Sequence, residues 1–143
     1  MKILIVNGPN LNKLGKRNNE IYGSMTLNDI YDAIKKEFPD IQFEFFQSNI
    51  EGFIIEEIQQ MENEVDALII NPGAFSHYSI AIRDALLDFK KIKIEVHLSN
   101  ISAREEFRQK SITAAVCDGY ISGFKEHSYL AAVYLVKKLL SKE

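Results

Sequence analysis

Lys2-Ile3-Leu4-Ile5-Val6-Asn7-Gly8-Pro9-Asn10 is the stretch on which the fold turns: an aliphatic run that stops at a polar, turn-forming end. One lysine and so short an apolar run make neither a signal peptide nor a bilayer span. The segment therefore reads as a first β-strand, and the protein as cytoplasmic. Working outward, apolar runs rich in β-branched residues recur at 41–46, 65–70, 92–98 and 112–116 with 120–122. Amphipathic stretches of helical length lie between and after them, at 27–38, 52–62, 79–89, 103–110 and 128–140. Thr26 with Asp29, and Ser102 with Glu105, stand at capping-box spacing, and Pro39 stops the first helix.

Strand and helix alternate from end to end. That predicts an α/β fold, a parallel sheet with helices on both faces, because right-handed crossovers lay each helix over the sheet. With five strands, the expected architecture is a flavodoxin-like three-layer sandwich of strand order 2-1-3-4-5. The 143 residues, 46% hydrophobic and 26% charged, fit one domain over 1–143 with a single core and no surplus for a second. No repeat, low-complexity tract or Pro/Gly-rich linker marks a boundary. The connection over 8–23 is longer than an ordinary strand-to-helix loop. It carries Lys13, Lys16, Arg17 and Tyr22 with Gly15 and Gly23 as hinges, the makeup of a lid over 13–23. A surface loop without a role is the alternative.

The formal net charge of −3, with Lys and Arg scattered, offers no field that collects phosphate backbones or anionic lipid. Nucleic acid and membrane surfaces are therefore not expected partners. Cys117 is the only cysteine, which excludes an internal disulfide and a multi-thiolate zinc site, and it reads as a small buried thiol on a strand.

In open parallel sheets, ligands sit beyond the carboxyl ends of the strands where strand order reverses. That rule gathers Asn10 after strand one, Asn71 and His77 after strand three, and His97 and Ser99 at the end of strand four. Glu95 and His97 are two apart, so both point to one face of a strand, where a carboxylate can hold an imidazolium. This is either a general-acid arrangement or an ordinary hydrogen-bonded pair at a sheet end. Arg104 and Arg108 are four apart on the stretch 103–110, which as a helix would share one face, and Arg108 could anchor a polar or anionic ligand. Arg83 and Asp84 on the preceding helix fit surface charge or an interface equally well, and His127 fits an exposed or capping position. Closely spaced metal-ligand signatures are missing, as are GxxxxGK[ST], GxGxxG and GxSxG, and Asn71 stands where a phospho-acceptor domain would want an Asp. Acid–base chemistry on a small polar or carboxylated molecule remains, without metal or cofactor.

At this point the residues resemble a known family. Asn7-Gly8-Pro9-Asn10-Leu11-Asn12, Leu14-Gly15-Lys16-Arg17 with Ile21-Tyr22-Gly23, Asn71-Pro72-Gly73-Ala74 with Ser76-His77, Ala81-Ile82-Arg83-Asp84-Ala85-Leu86, Glu95-Val96-His97-Leu98-Ser99-Asn100-Ile101 and Arg104-Glu105-Glu106-Phe107-Arg108 are similar to type II 3-dehydroquinate dehydratases. The likeness spans nearly the whole chain, in order. Ser102 departs where a His is common, and Glu126-His127 replaces the usual small residues; neither is a proposed catalytic position.

The resemblance implies dehydration of 3-dehydroquinate to 3-dehydroshikimate by anti elimination through an enolate, in the shikimate pathway or in quinate catabolism. It implies Tyr22 as the base, Arg17 as stabiliser of the tyrosinate, His97 as the acid and Glu95 as its orienter. Asn10 would position a water at the enolate oxygen, Asn71, His77 and Arg108 would hold ring hydroxyls, and Leu98 with Ser99 would take the carboxylate. Asp84 would act from a neighbouring subunit of a dodecamer built from trimers. For scale, a phenol with a pKa of about 10 is ionised about one part in a thousand at neutral pH, and burial works against ionisation. A guanidinium about 4 Å from a phenolate contributes roughly 4 kcal/mol at an effective dielectric near 20, enough for a usable base.

Overall fold

The computed structural model describes residues 1–141; the last two positions of the expected 1–143 domain lie outside the described residues. Strands β1 (Lys2–Asn7), β2 (Gln42–Gln47), β3 (Ala67–Asn71), β4 (Ile92–His97) and β5 (Gly119–Ser122) form one parallel sheet in the order β2-β1-β3-β4-β5. The helices are α1 (Asn19–Tyr22), α2 (Leu27–Glu37), α3 (Glu51–Met61), α4 (Ile80–Asp88) and α5 (His127–Leu140). The flavodoxin-like α/β order expected from the sequence is the one observed.

Alternation along β1 sends Ile3 and Ile5 to one face and Leu4 and Val6 to the other. Ile3, Ile5 and Ile69 pack against Ile30 and Ile34 of α2 and Ala132 and Val133 of α5. Leu4, Leu68 and Ile70 meet Ile54 and Ile58 of α3 and Ile82 and Leu86 of α4. Full burial of one such side chain contributes about 1.5–3 kcal/mol, so the two-sided core holds the helices in place. Local signals agree at α2, where the Thr26 hydroxyl accepts from the Asp29 amide at 3.1 Å and the Thr26 amide donates to the Asp29 carboxylate at 3.0 Å.

Two expected elements are absent. Residues 103–110 are not a helix: single 3-10 turns at Ile101–Ala103 and Glu106–Arg108 are separated by extended backbone at Arg104 and Glu105. Ala103 and Phe107 are exposed, so a helix there would have had no apolar face to bury. Ser102 is correspondingly no cap; Asn100 is, its side chain accepting from the Ser102 amide at 3.2 Å. Residues 112–116 are not a strand either. The Ala114 amide donates to Ser111 Oγ at 3.0 Å, starting a 3-10 turn at Ala114–Val116, since a local hydroxyl competes with the sheet for backbone donors. Cys117 thus ends a turn instead of lying on a strand, partly buried against the α3/α4 side of the core.

The carboxyl ends of β1 and β3 are bound together. Asn7 pairs with Asn71 in register, and the Gly8 amide donates to the Asn71 carbonyl at 2.8 Å. A Cβ on Gly8 would run into the Pro72 carbonyl, so no other residue fits there. From α5, the fully buried Tyr129 hydroxyl donates to Asn7 Oδ1 and accepts from Asn71 Nδ2 at 3.0 Å. Asn7 Nδ2 in turn donates to the Tyr31 hydroxyl at 3.1 Å. Burial pushes the Tyr129 hydroxyl above the ordinary phenol range, so its proton stays in the network.

Tyr129→Phe orphans an acceptor on Asn7 and a donor on Asn71. The expected loss is about 2–4 kcal/mol, read from urea unfolding; a change within about 0.5 kcal/mol would show that the two strand ends do not depend on that hydroxyl. Burial, and next the Glu95 charge, raise the Cys117 thiol from its ordinary 9.0 to about 12. Between those values the native thiol keeps its proton after an unfolded one has lost it, so alkylation by iodoacetamide at pH 9 should be slow in the native protein and fast in guanidinium. Equal rates in the two states would contradict that environment.

Candidate active site

One cleft opens beyond the carboxyl ends of β1, β3 and β4. Asn10, Tyr22, Asn71, His77, His97 and Arg108 line it, and so do Arg17, Leu98 and Ser99. Glu95 lies on the same strand face as His97 and is hydrogen-bonded to it. Asp84 is the exception among the sequence candidates, exposed on α4 and outside the cleft lining.

On one wall, β4 carries the pair predicted from spacing. Glu95 has no exposed surface, and both its oxygens are used. Oε2 accepts from Ser111 Oγ at 2.6 Å and meets His97 Nε2 at 2.7 Å, while Oε1 accepts from Thr113 Oγ1. With Nε2 engaged, Nδ1 is the His97 nitrogen left for a ligand. A buried carboxylate is tolerable only when its lone pairs are satisfied. Ser111 and Thr113 supply two of the three contacts, and nothing in their spacing announces it, because they reach Glu95 only once the chain has turned at 111–116.

The His77 ring stacks near-parallel on that of His97 with centroids 6.4 Å apart, and its Nδ1 is 2.9 Å from the Lys110 carbonyl. Burial holds His77 below the ordinary imidazole range, opposed by the Lys110 carbonyl and reinforced by the neighbouring His97 and Arg108. Asn71 has its amide oriented from two sides, Nδ2 donating to Tyr129 and Oδ1 accepting from the Gly73 amide at 3.1 Å. Asn10 turns the chain with φ of 68, its amide donating to Asn49 Oδ1 at 2.9 Å.

The other wall is the loop after β1. Asn18 caps the four-residue α1, accepting from the Glu20 amide at 3.0 Å, and Gly15 and Gly23 flank the segment with φ of 90 and 87. Arg17 Nη2 donates to the Tyr22 hydroxyl at 3.0 Å while its guanidinium carbon stands 4.0 Å from the ring centroid. A second guanidinium, Arg104, lies 5.2 Å from the same ring and donates to Ser99 Oγ at 3.3 Å. Arg104 also lines the cleft, a role that the 103–110 helix expectation obscured. Three arginines in a cleft of an acidic protein make a receptor for an anionic ligand. At the rim Glu105 offsets two of them, 3.6 Å from Arg104 and 3.2 Å from Arg108. Among the described residues no group of three His, Cys, Asp or Glu gathers to hold a metal, and no helix is long and apolar enough to cross a membrane.

Thr113→Val keeps shape and removes one donor from a buried carboxylate. A loss of about 1.5–3 kcal/mol in urea unfolding is expected, and a neutral result would mean that Glu95 does not need that contact.

The chain matches the family model described as dehydroquinase class II over residues 1–137. It is 51% identical to a protein of Thermotoga neapolitana named 3-dehydroquinate dehydratase, covering 99% of this chain and 98% of that protein. A protein of the same name from Clostridium perfringens is 53% identical over 96% of this chain and 97% of its own length. The crystal structure of type II dehydroquinase from Butyrivibrio crossotus superposes with a TM-score of 0.93 at 46% identity, covering 96% of this chain and 97% of that one. With the fold, the cleft and the relatives in agreement, the chain belongs to the class II dehydroquinase family.

Proposed function

We propose that this protein dehydrates 3-dehydroquinate to 3-dehydroshikimate by anti elimination through an enolate, with Tyr22 as base and His97 as acid. The observation that carries the reading is the pairing of two dyads across one cleft, Arg17 on Tyr22 at 3.0 Å and Glu95 on His97 at 2.7 Å. A phenol joined to a guanidinium is suited to removing a carbon-bound proton, because the cation offsets the charge left on oxygen. An imidazole held by a buried carboxylate is suited to giving a proton to a departing hydroxyl.

In this mechanism Tyr22, ionised and accepting from Arg17, takes the proton on the carbon next to the ketone. The electron pair moves onto the carbonyl oxygen, where a water positioned by Asn10 stabilises the enolate. The enolate then collapses and expels the β-hydroxyl, which leaves as water with the proton from His97. Proton return to His97 and loss from Tyr22 complete the cycle through solvent. Asn71, His77 and Arg108 hold ring hydroxyls, and Leu98 with Ser99 takes the carboxylate beside Arg104.

The single domain, the lid, the cytoplasmic setting and the lack of metal rest on the length, loop makeup and motifs of the sequence, and the pathway and assembly on its resemblance to the family. The protein acts as one domain whose 13–23 loop closes over substrate and excludes water. It works in the cytoplasm without metal or cofactor, in the shikimate pathway or in quinate catabolism. It assembles as a dodecamer built from trimers, in which Asp84, exposed on α4, reaches a neighbouring subunit's cleft.

Absorbance of the conjugated enone product, followed with 3-dehydroquinate in EDTA, tests this directly. The parent should turn over, and Tyr22→Phe should lose about 10²–10⁴-fold in kcat; a folded parent with no turnover would overturn the assignment. Arg17→Lys keeps charge but loses the planar fork, so kcat should fall about 10- to 100-fold with KM little changed.

A further inference from the structure

Lys125, in the turn between β5 and α5, has φ of 52, a left-handed conformation that L-residues avoid. Two interactions distant in sequence hold it there. Its backbone N–H donates to the Leu98 carbonyl at 3.0 Å, one residue beyond His97. Its side chain runs the other way, and Nζ donates to the carbonyls of Glu20 at 2.6 Å and Ile21 at 2.7 Å.

Both acceptors belong to α1, the short helix that ends with Tyr22. A helix of four residues leaves its last carbonyls without partners of its own, and an ammonium at that end satisfies them and opposes the local dipole. The stem of Lys125 also lies along the flanking hinge, its Cδ 3.7 Å from where a Gly23 Cβ would stand. A single residue thus spans from the strand that carries His97 to the helix that carries Tyr22. The strained backbone is what aims the side chain between them.

We propose that Lys125 is a positioning residue, a latch that holds the Tyr22 loop against the strand bearing His97 and so sets how much of the protein has both dyads facing one another. This rests on the reading of Tyr22 as the base. Loop and strand share no stretch of sequence, and Arg17 rides on the loop itself, so without the latch the closed arrangement depends on the Arg104 contact to the Tyr22 ring and on the packing of that ring against the core.

The test compares Lys125→Met, which keeps the stem and removes the donor, Lys125→Gly, which also releases the backbone strain, and Lys125→Arg, which restores a donor. Trypsin cleavage after Lys16 and Arg17 reads loop opening, and kcat/KM and Tm are measured on the same samples. The Met and Gly variants should be cut about tenfold faster with kcat/KM about tenfold lower, as expected for a smaller closed population. Tm should hold in Met and hold or rise in Gly, and Arg should recover cleavage and kcat/KM to within about threefold of the parent. Unchanged cleavage in Lys125→Met would overturn the latch, and faster cleavage with unchanged kcat/KM would overturn its part in the reaction. A fall in kcat/KM that merely follows a fall in Tm would reduce Lys125 to a stability role. Failure of the base assignment is visible separately, as full turnover by Tyr22→Phe, while the cleavage response to Lys125→Met still decides the latch.

Discussion

The close approach of Gly8 to Pro72 sets where everything else can stand. At that point β1 and β3 end side by side and their connections leave in different directions, one toward the long loop and the other into the turn at Gly73–His77. Only a residue without a side chain admits the Pro72 carbonyl so near. Gly73, with φ of 60, lies against Pro9 from the other side, where a Cβ would be 3.2 Å from the Pro9 carbonyl. The two turns interlock, and the crevice opens beyond them, where a doubly wound sheet is expected to bind its ligand.

Tyr129 makes that junction rigid from beneath. Its hydroxyl is shared between Asn7 and Asn71, so an α5 side chain fixes the orientation of an amide that also lines the cleft. The opposite support is Glu95, enclosed by His97, Ser111 and Thr113. In both places a polar group is carried into the interior, and the cost of burial is offset because each buried polar atom has at least one hydrogen-bond partner. No buried side-chain nitrogen or oxygen among the described residues lacks one.

The two walls of the cleft differ in kind. His97 and Glu95 sit on a central strand and are nearly or wholly out of solvent, whereas Arg17 and Tyr22 ride on a loop bounded by two glycines of positive φ. In the proposed mechanism, an acid on the strand and a base on a loop that closes would let substrate enter before the site is complete and exclude water once it is. The acidic overall charge and the arginine-rich cleft agree with this: Arg17, Arg104 and Arg108 concentrate positive potential where an anionic ligand would bind.

Much of the fold was legible because its signals are local. Aliphatic runs of strand length, the Thr26 capping box and a strand–helix alternation that the structure keeps except between β4 and β5 leave few topologies once crossovers are right-handed, and the period of two placed Glu95 and His97 on one face without reference to anything distant. The failures also share a cause. Residues 103–110 have helical spacing but no surface on which to bury it, and 112–116 have β-branched character but are drawn into a turn whose hydroxyls serve Glu95. The contacts of Ser111, Thr113, Tyr129 and Lys125 join residues far apart in sequence or around an unforeseen turn, and depend on how the layers close. The sequence by itself therefore determined the sheet, its order and the residues at the strand ends, since periodicity and turn chemistry act within a few residues. Only the tertiary structure decided which polar groups meet inside, because burial and hydrogen-bond satisfaction are settled between segments that become neighbours on folding.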